Sequence, residues 1–555
     1  MPVLRVKEGN DMNKMKRILL ALSVVTLLLT MTIPAFAYVP FNTYNYDFYG
    51  DTIASPSGYV PEAIYLSEDL GISSIHSPND IFVYDVKGDD GTDDGYLNDN
   101  IYLLDLGADY TRGRLCVFDA NFKLIKEYRS LIDTNGAEYY LKNPCGVTVK
   151  EEYDDVAKVT YTYAYICDTD NGAVLKVQVA VNGNFDLALE NNGKIILKYE
   201  QPGDDVFDAS YTYQPYKIVV GINGSAYVIS KGCLDGILEF NTKGEFVRFF
   251  GAPKVQLGVN DYFEIYWRSI YRNFSNDSEE VDDKFVTFVP TEFENMDIDD
   301  KGFIFTTVIA NEKSSNEVSK LNFTGTNVLS PTTKSTKKVS DALSTNYGDL
   351  KIRGTDIDNN FVDVVVDEDG FFSLLDTKLC KVFEYDSEGN LIFVYGGDGQ
   401  QVGTLEKATA MAKLGKKTLV IDATTCSITV FKLSDYGEAL HEAVVLYNLG
   451  LYTQAEEPWN EVLLYNANSD IAHVGIGKLY YMNAQYEEAM NEFKLANDRE
   501  NYSRSFALYR KELIRENFAL GASAIVVLLI LVIVLRKVFI VIKKKKAEKG
   551  GAVNG

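Results

Sequence analysis

The residues best placed to do chemistry are two carboxylates, an amide and an ammonium that open repeated apolar segments of the chain. They are Asp80, Lys217, Asn295 and Asp363. Carboxylate and amide oxygens bind hard cations such as Ca²⁺, and with an ammonium they can also hydrogen-bond a sugar or a peptide. The four are therefore candidate ligand-binding residues if the fold brings the segment starts together. The alternative is structural: such residues would cap strand ends and solvate a polar channel.

Short β-strands are the elements that would position these residues. Residues 361–396 contain four short apolar runs, each closed by Asp, Gly or Asn, which is typical of antiparallel strands joined by tight turns. Six such units occur, and aligning them places Gly146 and Ala410 beside the four polar residues. One four-stranded sheet cannot bury both of its faces, so the repeats predict a mainly β fold, a six-bladed β-propeller over residues 38–434.

A recurring motif order resembles the NHL-repeat propellers. The recurring order is an apolar run, a glycine, then Tyr/Phe-Val/Ile-x-Asp and Ile/Val-x-x-Phe-Asp, and the units cover most of residues 75–432. The last unit shows three clear strands before Asp435. The stretch Tyr44–Gly50 is therefore predicted to complete that blade and close the ring, which removes an open sheet edge.

Three further segments are predicted to lie between strands. The acidic residues of Asp89–Asn100 and Glu151–Asp155 fall where loops are expected. An aromatic stripe at helical spacing predicts a helix within Lys254–Lys284, between the third and fourth units.

Residues 435–517 change to a helical period. Tyr452-Thr-Gln-Ala455 and Tyr486-Glu-Glu-Ala489 are offset by 34 residues, and an aromatic residue follows each after four positions. The period resembles that of the tetratricopeptide repeat, which implies a small all-α domain of stacked helical hairpins.

Both ends of the chain predict contact with a membrane. Basic residues precede an uncharged run and a small-residue site ending at Ala37, so residues 1–37 are predicted to be a cleaved signal peptide, with an uncleaved anchor as the alternative. Residues 518–542 predict a transmembrane helix, and the lysines of residues 543–555 predict a cytoplasmic tail. A single-pass cell-membrane protein with its large N-terminal domain outside the cytoplasm is expected.

Composition and motifs exclude several functions. Between the two basic ends, residues 38–517 carry a formal charge of −34, which disfavours nucleic acid as a partner. The six cysteines are scattered singly and are predicted to be buried free thiols rather than a disulfide framework. The Gly-x-Ser-x-Gly, His-Glu-x-x-His and dinucleotide-binding motifs are all missing from the sequence. No catalytic residue and no metal ligand is assigned.

Two functions remain open. The first is a non-catalytic interaction or scaffold protein that binds a protein or a small polar ligand, such as a carbohydrate. The domain order resembles membrane-anchored NHL/tetratricopeptide proteins of Gram-positive bacteria, and this resemblance implies a sugar-uptake transporter as partner.

The alternative is a hydrolase that resembles the metal-dependent lactonases of the gluconolactonase type. That resemblance implies a metal at Asn295 and Asp363 with Asp80 or Glu62, although the glutamate motif of that family is absent. No cofactor is expected apart from Ca²⁺ at the channel mouth or in an acidic loop. Alanine at Asp80, Asn295 and Asp363 together is expected to abolish ligand binding with little loss of stability.

Overall fold

Six β-sheets follow one another along the chain and form the blades of a β-propeller. The structure is a computed structural model, and it describes residues 39–46, 51–85, 98–107, 112–187, 193–203, 206–207, 211–251, 292–308, 318–329, 347–349 and 359–551. The predicted signal peptide, the predicted helix within residues 254–284 and residues 89–97 of the first acidic loop lie outside the described residues.

The first strand of each blade is innermost, and the blade's three or four main strands pair antiparallel; in blade 2 the short strand Leu131–Ile132 pairs parallel with the fourth strand. Blade 1 comprises Pro78–Tyr84, Asn100–Asp105, Arg114–Asp119 and Leu124–Tyr128. Blade 2 comprises Pro144–Asp154, Val159–Asp168, Ala173–Val181 and Lys194–Tyr199, with the short strands Leu131–Ile132 and Glu138–Tyr139 at its outer edge. Blade 3 comprises Pro215–Val220, Ala226–Ser230, Ile237–Phe240 and Phe246–Phe250. Blade 4 comprises Phe293–Ile298, Ile304–Val308 and Val318–Leu321. Blade 5 comprises Phe361–Val366, Phe372–Asp376, Lys381–Tyr385 and Leu391–Gly396. Blade 6 comprises Ala408–Leu414, Lys417–Asp422, Ser427–Leu433 and Tyr59–Tyr65.

The ring closes through an N-terminal strand, but not the predicted one. Tyr59–Tyr65 pairs antiparallel with Ser427–Leu433 and supplies the fourth strand of blade 6. Tyr44–Tyr46, from the stretch predicted to close the ring, instead forms a hairpin with Thr52–Ala54. The closing strand contains Pro61, which cannot donate a backbone hydrogen bond. An outer edge strand tolerates this, because only one of its sides is paired.

The Asp that closes the Tyr/Phe-Val/Ile-x-Asp pattern of the sequence is a buried residue at the end of the second strand. In four blades it accepts hydrogen bonds from the backbone that leads into the innermost strand of the same blade. Asp422 Oδ2, for example, accepts from the N–H groups of Glu406 and Lys407 at 2.6 and 3.0 Å. The equivalent contacts are made by Asp105, Asp168 and Asp376. In these four blades the aspartate therefore fixes where the innermost strand begins.

Blade 2 has the longest strands. Pro144–Asp154 pairs with Val159–Asp168 along almost its whole length, down to Asp154 opposite Val159. The prediction of a loop over Glu151–Asp155 is therefore wrong for residues 151–154, which are strand. Their carboxylates are used across the sheet: Thr162 donates to Glu151, and Lys176 pairs with Glu152 at 2.6 Å.

The apolar core lies between adjacent blades rather than at one centre. Each interface is filled by the branched and aromatic side chains of two neighbouring sheets, as a radial arrangement requires. All six cysteines are unpaired thiols in or beside these interfaces; five are buried and Cys426 is half-buried.

Five helices follow the propeller: Asp435–Asn448, Glu456–Tyr465, Asp470–Met482, Tyr486–Leu495 and Arg499–Gly551. The first begins at Ser434, whose hydroxyl accepts from the N–H of Gly437 and donates to the carbonyl of Ser57, just before the closing strand. Its buried face joins the core formed by blades 5 and 6. The helical segment is thus continuous with the ring.

Glycines allow the later helices to approach one another. A Cβ atom on Gly475 would lie 2.3 Å from the ring of Trp459, and one on Gly477 would lie 2.7 Å from Phe493. Both aromatic rings are buried. The aromatic residues that follow the 34-residue repeats therefore pack on glycines of the intervening helix.

The last helix is long enough and apolar enough to cross a membrane. Its most apolar 18-residue window has a mean hydropathy of 3.2, and none of that window is buried against the rest of the chain. It is the single such helix found among the described residues.

Candidate ligand-binding site at the channel mouth

A β-bulge marks the start of every innermost strand. In each blade the pairing between the first and second strands shifts after the first residue. After the bulge, the first residue of each innermost strand that again pairs with the second strand is one of the six that alignment of the repeats places together. These six are Asp80, Gly146, Lys217, Asn295, Asp363 and Ala410. They form one layer around one end of the channel, which we call the channel mouth.

Two of these side chains form a buried ion pair across the mouth. Lys217 Nζ lies 2.7 Å from Asp80 Oδ1, although 137 positions separate the residues. The other oxygen of Asp80 accepts the N–H of Val147, in the neighbouring blade, at 2.7 Å. Both side chains are almost fully buried, with 7% of Asp80 and 4% of Lys217 exposed. Asp80 therefore joins blade 1 to blades 2 and 3.

Asn295 and Asp363 form the second pair. The amide of Asn295 donates to Asp363 Oδ1 at 2.7 Å and to the carbonyl of Val362 at 2.9 Å. The other oxygen of Asp363 accepts the N–H of Met411 at 2.7 Å. This pair joins blade 4 to blade 5 and blade 5 to blade 6.

The two positions without a polar side chain complete the arrangement. Gly146 and Ala410 directly precede Val147 and Met411, whose N–H groups are bound by the aspartates of the preceding blades. A Cβ on Gly146 would lie 2.6 Å from the carbonyl oxygen of Tyr216, so the approach of blade 3 requires glycine here. Polar and small residues therefore have complementary roles around the mouth.

These contacts revise the expected effect of mutation. Each carboxylate at the mouth satisfies a backbone N–H of another blade, and an unpaired buried N–H costs about 1–3 kcal/mol. Alanine at Asp80, Asn295 and Asp363 together is therefore expected to lower the stability as well as to alter the mouth.

The electrostatics of the mouth favour a charged lysine and a weakly acidic aspartate. Burial alone would lower the pKa of Lys217, but the carboxylates of Asp80 and Asp363 raise it above its ordinary value. Burial raises the pKa of Asp363 to about 8, in opposition to Lys217 and the N–H of Met411. Burial also raises the pKa of Asp80. Asp363 can therefore exchange its proton near neutral pH.

The mouth keeps hydrogen-bonding capacity for a ligand. Among the described residues, the ammonium of Lys217 has one hydrogen-bond partner, Asp80, so two of its three N–H groups are not used. The four polar residues also line a channel of about 460 Å³ that runs along the innermost strands. A small molecule fits in that volume, and it could accept hydrogen bonds from Lys217.

Three residues that the sequence analysis missed surround this layer. Tyr216 lies within the bulge of blade 3, and its ring has Lys231 Nζ at 4.0 Å and Lys217 Nζ at 5.8 Å from its centroid. Glu294 occupies the same bulge position in blade 4, and burial raises its pKa in opposition to Lys231 and Lys217. The bulge position, one residue before each aligned residue, was the signal that could have identified Tyr216 and Glu294.

A second buried charge cluster joins the ring to the helices. Glu384, in the third strand of blade 5, is fully buried and accepts hydrogen bonds from Lys413 Nζ at 2.6 Å and from Tyr59 at 2.9 Å; His441 Nε2 also lies 2.6 Å from it. The ring of His441 stacks on Phe371 with 4.1 Å between centroids. We call Glu384, Lys413, Tyr59 and His441 the junction cluster. It connects blade 5, the inner strand of blade 6, the closing strand and the first helix.

No group of three or more His, Cys, Asp or Glu side chains with the geometry of a metal site occurs among the described residues. The carboxylates of Asp80 and Asp363 are each bound by backbone N–H groups and by a side-chain donor. The oxygen atoms of Asp80 and Asp363, which the resemblance to lactonases implies as metal ligands, therefore already accept hydrogen bonds within the fold.

Comparison with solved structures returns proteins of low similarity. Virginiamycin B lyase from Staphylococcus aureus is 9% identical over 67% of this chain and 99% of its own, with a TM-score of 0.34. The PQQ-bound aldose sugar dehydrogenase from Streptomyces coelicolor is 11% identical over 68% of this chain and 100% of its own, with a TM-score of 0.31. These values carry no argument about function, and the propeller assignment rests on the strand pairing described above. No family model and no curated protein matches the chain.

Proposed function

We propose that this protein is a membrane-anchored binding protein that takes up a small, hydroxyl-rich ligand of the carbohydrate class at the channel mouth. The observation that carries the proposal is the buried ammonium of Lys217, which lies beside two carboxylates in a channel of ligand size and has two N–H groups that no described residue binds. Sugar hydroxyls both donate and accept hydrogen bonds. Lys217 supplies donors to the oxygen atoms of those hydroxyls.

The anchoring part of the proposal rests on the last helix. Its exposed apolar surface has no partner among the described residues, and lysines follow it. With the signal peptide expected at the N-terminus, the propeller would lie outside the cell membrane and the C-terminus in the cytoplasm. The helical segment, with its repeats similar to tetratricopeptide repeats, would dock a protein partner. The resemblance to Gram-positive surface proteins makes a sugar-uptake transporter the first partner to test.

The binding site is tested with the full-length protein in detergent and a panel of glucose, maltose, N-acetylglucosamine and cellobiose, measured by calorimetric titration. The expected result is saturable binding of at least one sugar, which Lys217→Met abolishes. Removal of the lysine leaves Asp80 able to take up a proton, so the variant is expected to fold.

Lys381→Met is the matched control. Lys381 pairs with Asp349 at 2.9 Å, outside the channel, so this variant also removes a lysine–aspartate pair but leaves the mouth intact. It should bind the sugar as the wild type does. If no sugar binds, or if both variants bind normally, the proposed site is wrong.

A further inference from the structure

The side chain of His473 joins two other elements of the helical segment. It lies in the third helix and is 8% exposed. Its Nδ1 lies 2.7 Å from Glu492 Oε2, in the fourth helix, and its Nε2 lies 3.1 Å from the carbonyl oxygen of Ala467, in the turn before the third helix. Gly477, one helical turn later, packs against Phe493, directly after Glu492. The close approach of the two helices therefore brings Glu492 to the ring.

These two contacts require two protons on the ring. A carbonyl oxygen only accepts hydrogen bonds, so Nε2 must carry a proton for the contact with Ala467. A neutral ring then has no proton on Nδ1, and the lone pair of that nitrogen would face the carboxylate of Glu492. Both contacts are made together only when a further proton lies between Nδ1 and Glu492, as in an imidazolium–carboxylate pair.

The other two histidines of the chain do not have this requirement. His441 Nε2 lies 2.6 Å from Glu384, and no hydrogen bond of its Nδ1 occurs among the described residues. A neutral ring with its proton on Nε2 keeps that contact. His76 Nε2 lies 2.8 Å from the hydroxyl of Ser74, which can donate or accept. Only at His473 do the contacts depend on a second proton.

The charges around the ring leave this proton to Glu492. The turn of residues 466–469 carries no charged side chain. Asp470 and Lys478, the charged residues of the third helix itself, are half-buried. The other charged side chains of the second and fourth helices are exposed to solvent: Glu456, Glu457, Glu461, Glu487, Glu488 and Lys494. The protonation of the His473–Glu492 pair therefore decides whether both contacts persist.

We propose that the His473–Glu492 pair is a pH-sensitive contact, which holds the third helix, the fourth helix and the turn before them together in acid and releases as the pH rises. Histidine is the side chain that changes charge between pH 5 and 8. While the pair holds its proton, both ring nitrogens donate. Once the proton is lost, the ring keeps a donor for only one of its two acceptors. Either the fourth helix or the turn is then released, and this part of the helical segment opens more often.

Amide hydrogen exchange of the full-length protein in detergent tests the proposal at pH 5.5 and pH 8, with rates corrected for the intrinsic effect of pH on exchange. Peptides that cover residues 466–495 report on the contact, and peptides that cover Val159–Asp168 of blade 2 are the internal reference. Relative to this reference, the protection of residues 466–495 in the wild type should fall at least about tenfold, because a hydrogen bond to a charged group contributes about that factor.

Glu492→Gln distinguishes a proton-dependent contact from an ordinary ion pair. The glutamine amide donates to Nδ1 of a neutral ring, so both contacts persist without the extra proton. The variant should keep the wild-type protection of pH 5.5 at both pH values. Glu488→Gln makes the same change at an exposed position of the same helix and should retain the wild-type dependence on pH.

Three results would overturn the proposal. The first is a wild-type protection that is equal at pH 5.5 and pH 8. The second is a loss of protection in Glu492→Gln at both pH values, as expected for a simple ion pair, or a decline between them as large as that of the wild type. The third is a loss of the pH dependence in Glu488→Gln, which would assign the effect to the charge of the helix rather than to the pair.

Discussion

The channel mouth and the junction cluster both bury a lysine against a carboxylate, but they use the charges differently. At the junction, the carboxylate oxygens of Glu384 lie within 2.9 Å of Lys413 Nζ, the Tyr59 hydroxyl and His441 Nε2. At the mouth, Lys217 has one hydrogen-bond partner among the described residues and borders the open channel. The junction is a filled contact between elements of the fold, while the mouth retains donors for another molecule.

The pKa values express the same difference. Burial alone would raise the pKa of Glu384, but Lys413 and His441 lower it well below its usual range. At the mouth, burial dominates and the pKa of Asp363 is about 8. A carboxylate surrounded by donors remains charged and stabilises the fold. A carboxyl group with fewer donors can gain or lose its proton, and it can respond to a ligand.

The largest expected effect is at the junction. Glu384→Gln removes the carboxylate that Lys413 and His441 both contact, and breaking a buried ion pair costs about 3–5 kcal/mol. The free energy of unfolding of the full-length protein in detergent, measured with urea, should fall by about that amount.

Glu239 supplies the control, because it occupies the equivalent place in the third strand of blade 3. Its partner Arg248, at 2.6 Å, has a side chain that is 47% exposed, so solvent can replace the contact. Glu239→Gln should cost less than about 1 kcal/mol. Similar losses in both variants would remove the distinction between a filled junction and an ordinary strand pair.

A smaller effect is expected from Asp363 as a function of pH. The folded protein holds a proton that the unfolded chain releases above the ordinary pKa of 3.8. This contribution to stability is complete below pH 3.8 and is lost as the pH rises through about 8. The wild-type Tm should therefore fall between pH 6.5 and 9 by about 3 °C more than that of Asp363→Asn.

Asp367 distinguishes this effect from general alkaline destabilisation. Burial raises its pKa only to about 6, so its proton is lost before pH 7. Asp367→Asn should leave the decline between pH 7 and 9 unchanged. If Asp363→Asn shows the same decline as the wild type, the carboxyl group at the mouth does not titrate near neutral pH.

The sequence was sufficient to predict the blades but not the strand that closes the ring. The Asp that ends the second strand in four of the blades and the turn residues are local signals, and that Asp has a local hydrogen-bonding role in the fold. The closing strand has no such signal, since Pro61 weakens its strand pattern while the alternating Tyr44–Gly50 looks stronger. Pairing over more than 360 positions is decided by packing, which a local pattern does not contain.

For the candidate site, alignment of the repeats identified the correct layer of six residues because the bulge recurs in every blade. It did not reveal that Lys217 pairs with Asp80 or that Asn295 pairs with Asp363, since the partners come from different blades. Nor did it reveal the junction cluster, whose members come from four separate elements.

The most direct test of the account is the side of the membrane on which the ring lies. Proteinase K is added to intact cells that express the full-length chain with a C-terminal epitope tag, beside a control exported protein. If the propeller lies outside the cell, the full-length band disappears and a short tagged fragment, containing the last helix, stays in the membrane. A full-length band that survives while the exported control is digested would contradict an anchored propeller outside the cell.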